Sequence, residues 1–344
     1  MSNKSLGIFY GILGVVLFSS KAVMVKLAYE NEVETLDLLL FRMLFSLPFY
    51  LFILFLFRKK KPSVEITLKD YAWLFLFGFV GYYLASYFDF LGLNYIKAGL
   101  ERIILFVYPT IVVFLSWLFF KQKITKVQAI AIMITYIGVV ITFWSELDIN
   151  GNGVLIGGFL VLLSAITYAS YLVGSGWLIP KFGVLRFTSY AMVVSTCCIG
   201  VHYLISGNFG LWEYPAAVYG YGVAMAILAT LIPSFLVSAA IERLGASNFS
   251  ILGSLGPVST ILLAFVFLDE KLTYWQLFGM LVVIFGVTYL SIRRKKGAGA
   301  WYVLTKTHVH CWLLSSLKTF IFAPKFYISK DIPQSYGRNP IYRG

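Results

Sequence analysis

Ten continuous apolar runs, each about as long as a bilayer core is thick, leave this chain few architectures. They read as 6–29, 37–57, 70–93, 99–120, 126–144, 153–174, 184–206, 215–239, 247–268 and 273–292. Roughly 20 apolar residues in a helix cross the hydrocarbon. There every backbone N–H and C=O must find its partner inside the protein, which leaves only helices or closed barrels. The runs do not alternate polar and apolar residues, so a barrel is excluded. The expected fold class is an all-α membrane protein with ten transmembrane helices. Composition agrees: 60% of residues are hydrophobic and only 12% charged, with a mean hydropathy of +0.84, too little polar surface to cover a globule in water. The first run is too long for a signal peptide, contains Lys21 and offers no clear cleavage site, so it reads as a retained helix.

The formal charge of +13 is placed for orientation rather than for nucleic acid. Basic residues sit at the ends of runs and not on a helix face interleaved with aromatics. Arg58-Lys59-Lys60-Lys61, then Lys121, Lys123 and Lys126, then Lys181 and Arg186, then Arg293-Arg294-Lys295-Lys296 mark one side. Glu30, Glu32 and Glu34, then Glu146 and Asp148, then Glu213, then Asp269 and Glu270 mark the other. Basic loops stay in the cytoplasm, which predicts that the N-terminus and residue 293 both lie inside a bacterial cytoplasmic membrane. The expected partners are a lipid bilayer and a small-molecule substrate, with no nucleic acid. Monomer and homodimer are both compatible with the sequence. Cys197, Cys198 and Cys311 form no disulfide framework.

An internal repeat is visible on shifting the chain by 148 residues, which lays 95–144 over 243–292 without a gap. Ala98 falls on Ala246, Ile103 on Ile251, Pro109 on Pro257, Thr125 on Thr273, Gln128 on Gln276 and Gly138 on Gly286. Five spans per copy is an odd number, so the second copy inserts upside down. The loops agree, because Lys121-Gln122 corresponds to Asp269-Glu270. Inverted repeats are the usual construction of secondary transporters, with the solute held near the midplane between the halves. The expected domains are a first five-helix repeat at 1–144, an extracytoplasmic linker at 145–152, a second repeat at 153–296 and an atypical basic C-terminal tail at 297–344.

These residues resemble a known family. FSSKAVMVKLAY in span one, LLLFRMLFSLPFY in span two and FDFLGLNYIKAGLERIILFVYPTIVV across spans three and four are similar to the EamA branch of the drug/metabolite transporter superfamily. LSAITYASYLVGSG and RLGASNFSILGSLGPVSTILLAFVFLDEKLT look like its second copy. The resemblance covers roughly residues 5–292. It implies ten helices around a central cavity, cytoplasmic termini, and export or exchange of amino acids and related metabolites. The tail after residue 296 departs from the pattern.

Ionisable groups inside a span cost at least ~2.5–3.5 kcal/mol and usually face the bundle interior. Here they are Lys21, Arg42, Asp89, Glu101 and Arg102, all in the first copy. Arg42 maps to Tyr190 and Glu101-Arg102 to Phe249-Ser250, so the polarity is one-sided. Lys21 and Arg42 suit a carboxylate or other anion, and Asp89 or Glu101 an amine or a coupling proton; permanent pairing between helices is the competing reading. Glu101 and Arg102, at the outer start of span four, are also placed to snorkel into water. Tyr82 and Ser86 share a helical face with Asp89, and Tyr108 shares one with Glu101. Tyr168 and Tyr171 lie near the repeat counterpart of Lys21. These tyrosines are candidate substrate contacts, with ordinary packing as the alternative. Pro109 and Pro257, mid-span, are candidate hinges or fixed kinks, and Gly253 and Gly256 a candidate gate.

Catalytic, metal and cofactor signals are absent from this reading. Ser164 and Ser170 lack a His/Asp constellation, His308-x-His310-Cys311 is too short for a metal site, and there is no phosphate-binding loop of the Walker type. The chain is therefore expected to be a transporter and not an enzyme, with no cofactor and no metal. An exporter or exchanger of amino acids or related metabolites leads, and proton coupling is compatible with it. A phosphorylated-anion exchanger and a non-transporting receptor or assembly subunit are the alternatives.

Overall fold

The computed structural model describes residues 3–58, 65–96, 98–143, 153–207, 210–267 and 273–293. The expected linker, the loop carrying Asp269 and Glu270, and the basic tail lie outside them. Every regular element among the described residues is helical. The first repeat runs α1 (Asn3–Tyr29), α2 (Thr35–Phe57), α3 (Leu68–Gly78), a π-helical turn (Phe79–Leu84), α4 (Ala85–Tyr95), α5 (Ala98–Leu105), α6 (Tyr108–Phe120) and α7 (Lys126–Phe143). The second runs α8 (Val154–Phe182), α9 (Val184–Ser206), α10 (Ala216–Ala226), a π-helical turn (Ile227–Leu231), α11 (Ile232–Leu244), α12 (Ala246–Leu252), α13 (Leu255–Phe267) and α14 (Tyr274–Arg293).

Among the described residues the rods are of unequal length, in keeping with ten spans. Seven are long and apolar enough to cross a membrane, and shorter apolar helices at 108–120, 126–141 and 274–290 supply the rest. Their outward faces carry exposed Phe52, Phe55, Leu155, Phe159 and Phe285, which only lipid can cover. Span six is longer than expected, because α8 continues through Gly174 and Gly176 to Phe182. Those glycines are contact points inside the helix: Gly174 faces the Phe77 ring and Gly176 faces Ala246.

The repeat carries over to local structure. Adding 148 to residue 79, where the first π turn starts, gives 227, where the second starts. Pro233 follows that second turn, and widening the helix there relieves the clash of its ring with the carbonyl four residues back. The matched pairs Thr125/Gln128 and Thr273/Gln276 fold into the same helix cap. Each glutamine oxygen accepts from the threonine N–H, at 3.0 and 2.8 Å, and each threonine hydroxyl accepts from the glutamine N–H at 3.2 Å.

The copies are antiparallel, as one crossing shows. A Cβ on Gly138 would lie 2.7 Å from the Val283 nitrogen, and one on Gly286 would lie 3.2 Å from the Thr135 nitrogen. Gly286 is the repeat partner of Gly138, and Val283 that of Thr135. Contacts in which one index falls as the other rises require α7 and α14 to run in opposite directions. Likewise Arg186, at the start of α9, donates to the Phe57 carbonyl at the end of α2. The longest helices also change sides: α1 packs on α11 and α13 of the second copy, and α8 on α4 and α6 of the first. Gly92 and Gly157 make the α4–α8 approach reciprocal, each facing the other's carbonyl.

Spans four and nine are broken rather than kinked. After α5 the chain turns at Phe106–Val107, and after α12 at Gly253–Ser254, with short bonds such as Val107 N–H to the Ile104 carbonyl and Ser254 N–H to the Ile251 carbonyl, both 3.1 Å. Pro109 and Pro257 therefore stand in the first turn of a second half-helix and not within a continuous one. A proline's missing N–H has no helical partner to lose there.

The Gly138–Gly286 crossing generates a test. Gly138→Ala should lower stability in detergent by ~1–3 kcal/mol through overpacking against backbone. Gly200→Ala, where a Cβ meets nothing within 4 Å, should leave the unfolding midpoint unchanged. Equal midpoints for both variants would contradict the crossing.

Candidate functional site: a charged cavity between the repeats

The breaks, the π turn and α1 meet around one cavity, with an empty volume of about 770 Å³ counting its open mouth. The first repeat supplies Phe18, Ser19 and Lys21 from α1, Gly81 and Tyr82 from the π turn, and Ala85, Ser86 and Asp89 from α4. It adds Arg102 from α5 and Tyr108 from α6. The second contributes Tyr168, Val237, Phe249, Gly253, Gly256 and Pro257. One wall is charged and the other apolar or aromatic.

Lys21 is the centre of the charged wall. Its ammonium donates to Asp89 Oδ2, and the two side chains are 4% and 2% exposed, so water does little to screen the pair. Phe18 and Phe90 flank the ammonium, with ring centroids 5.1 and 5.7 Å away. The Arg42 guanidinium stacks on Phe90 at 4.9 Å and donates to Ser86 Oγ at 2.9 Å, so it stands behind Ser86 and does not line the cavity. Arg102 Nε lies 3.0 Å from Glu101 Oε2, and both side chains are buried.

Snorkelling does not describe Glu101 and Arg102. At 0% and 5% exposure they are inside the protein, because α5 packs against α8. The same break removes the shared face expected for Glu101 and Tyr108: Tyr108 lines the cavity and Glu101 sits behind Arg102. Tyr82, Ser86 and Asp89 do share a face and line the cavity. Tyr168 lines it, stacked with Phe18 (6.2 Å, 11°) and edge-on to Tyr108 (5.4 Å, 73°). Tyr171 packs one layer back against Tyr82, ring centroids 4.7 Å apart. Gly253, Gly256 and Pro257 line the cavity, and Pro109 does not. A Cβ on Gly253 would overlap the Tyr108 hydroxyl, so the break of span nine is shaped around that tyrosine.

Ser19 and Phe249 are wall residues that the sequence reading passed over. Ser19 Oγ is placed to donate to its own Val15 carbonyl (2.7 Å) or to the Gly256 carbonyl (3.2 Å) in the first turn of α13. Helical periodicity could have found this face, since Val15, Phe18 and Ser19 follow the i, i+3, i+4 pattern beside Lys21. Phe249 is the repeat image of Glu101, a correspondence that locates it without a structure. Among the described residues no three His, Cys, Asp or Glu side chains cluster as metal ligands would.

The Lys21–Asp89 pair makes a stability prediction. Lys21→Met alone strands a buried carboxylate and should lower stability by ~3–5 kcal/mol, whereas Lys21→Met with Asp89→Leu should recover most of that loss. A double-mutant cycle of unfolding in detergent measures it, and additive losses would show that the two groups do not interact.

Known proteins give the same picture. The profile of the EamA-like transporter family matches residues 5–144 and 155–292, one match per repeat. An uncharacterized transporter of Bacillus subtilis (strain 168), YcbK, is 30% identical over 298 residues, covering 84% of this chain and 94% of that protein. Another from the same organism, YetK, is 23% identical and covers 86% of this chain and 89% of its own length. A solved structure described only as the crystal structure of a protein aligns over 85% of this chain and all of its own, with TM-score 0.70 at 14% identity, which speaks to the fold alone. A double family match over an antiparallel helical repeat makes this a multi-pass integral membrane transporter rather than an enzyme, and the chain belongs to the EamA-like transporter family.

Proposed function

We propose that this chain is a secondary active transporter that exports or exchanges amino acids or related small carboxylated metabolites, with proton movement as the coupling reaction. One observation carries the reading: a buried Lys21–Asp89 pair on the wall of a cavity to which both repeats contribute. A solute carboxylate has a cation to meet there. A solute amine or a proton has Asp89, whose Oδ1 lacks a hydrogen-bond partner. A multiply charged phosphate ester fits less well, since both wall cations already stand beside carboxylates. A receptor or assembly role leaves the cavity itself without a purpose.

The distribution of charge supports an orientation in a bacterial cytoplasmic membrane. The end bearing Arg58, Lys181 and Arg186 would face the cytoplasm, and the end bearing Glu34 and Trp212 would face out. Thiol labelling from outside intact cells should modify a cysteine placed at Trp212 and spare one placed at Arg58, in a background where Cys197, Cys198 and Cys311 are replaced. The reverse pattern would invert the assignment.

Flux is the direct test. Purified protein in proteoliposomes under an imposed pH gradient should move at least one member of a broad panel of amino acids and small carboxylates. Gly253→Ala should cut that flux about tenfold or more by displacing Tyr108 at the second copy's break. Folded protein that moves nothing in the panel, with or without the gradient, would refute the reading.

A further inference from the structure

Five buried ionisable groups meet around the cavity, and with all five charged they do not balance. Lys21, Arg42 and Arg102 face only Asp89 and Glu101. The other buried carboxylates among the described residues are engaged elsewhere, Asp70 by Lys181 at 2.6 Å and Asp37 by the Tyr214 hydroxyl at 2.7 Å. Lys26 is only half-buried, does not line the cavity and is held by the Leu93 and Ile96 carbonyls, so it stands outside this count. At ordinary ionisation the cluster carries one cation too many, in surroundings where an uncompensated ion is costly.

The wall also shows where that excess can be met. Arg102 lines the cavity, and its buried Nη2 has no hydrogen-bond partner. Glu101 is its immediate neighbour in sequence, and adjacent residues on a helix point in different directions. Neither Glu101 oxygen makes a hydrogen bond with it, so the pair is a charge contact that leaves the guanidinium edge open. A planar guanidinium edge suits a carboxylate, which it can hold with two parallel bonds. Beside it the surface is aromatic: Phe106, Tyr108, Tyr168 and Phe18 line the same cavity. Such rings favour a flat apolar body, by stacking or edge contact.

On the transport reading above, we infer that the solute is a monoanion, a carboxylate on a planar apolar body, and that Arg102 receives the carboxylate. A zwitterion leaves the excess charge standing, an amine adds to it and a dianion overshoots it. Only a single net negative charge brings the filled cavity to neutrality.

Calorimetric binding to the full chain in lipid nanodiscs tests this with four probes that share one ring: phenylacetate, phenylacetamide, phenethylamine and phenylalanine. Phenylacetate should bind about tenfold or more tightly than each of the others. Arg102→Lys keeps the charge but loses the planar fork, and should weaken phenylacetate about tenfold. Arg102→Gln should abolish the preference for the acid over its amide. If Arg102→Gln fails to fold, the lysine variant and the wild-type ranking decide the matter. Phenylalanine binding as tightly as phenylacetate overturns the monoanion and leaves the transport reading standing. Unchanged phenylacetate affinity in Arg102→Lys overturns the role of Arg102. Failure of all four probes to bind overturns the inference, and the flux measurement on the wider panel then decides separately whether the protein is a carrier.

Discussion

An ion inside hydrocarbon must find its counter-charge within the protein, and most of what is distinctive here follows from how five such ions are housed. Lys21, Arg42 and Arg102 are drawn together with Asp89 and Glu101 because each alone would be far costlier than the group. Phe90 receives Lys21 and Arg42 on its ring, and the Ser86 hydroxyl accepts a hydrogen bond from Arg42 Nη2. The arrangement ties α1, α2, α4 and α5 to one centre. Hydrocarbon surrounds the outside of the bundle, so polarity can exist only inside it, and the cavity is where the charged walls fail to close.

Backbone follows the same rule. A helix interrupted within the membrane leaves N–H and C=O groups without partners, tolerable only beside a protein or water-filled interior. Both interruptions occur next to the cavity, and the freed groups are taken up locally. In span nine the Gly253 N–H donates to the Phe249 carbonyl at 2.9 Å and the Ser254 N–H to the Ile251 carbonyl at 3.1 Å. The packing that holds the copies together needs no charge at all. Gly138 against Val283, Gly286 against Thr135 and Gly92 against Gly157 let backbones approach within van der Waals contact, the means by which helices associate in lipid when burial from water offers no drive.

Much of this was legible in the sequence, because it depends on rules of long range along the chain. Run length indicates spans, and a gapless register of 148 residues carries Pro109 onto Pro257 and Gly138 onto Gly286. The last pair proved to be the crossing that shows the copies antiparallel. What escaped depends on where a helix stops being one. Periodicity treated span four as unbroken, and so put Glu101 on a face with Tyr108 and near water, whereas a turn at Phe106–Val107 separates them and burial puts both charges inside. Ser19 and Phe249 escaped because a hydroxyl or a ring in an apolar run has no signature of its own, and only the helical spacing beside Lys21 and the repeat image of Glu101 point to them.

That seam explains why the ion pair sits where it does. Sequence assigns Lys21 and Asp89 to the same copy, but packing does not: α1 lies against α11 and α13, while α4 lies against α8. The pair therefore bridges two groups of helices drawn from both copies. A motion that parted those groups would also part Lys21 from Asp89 and leave each without its counter-charge. The motion becomes affordable when something else neutralises them, such as a carboxylate beside Lys21 or a proton on Asp89. On the transport proposal, occupancy of the cavity and opening of the seam would be linked through this one buried pair, as a carrier requires and a pore does not.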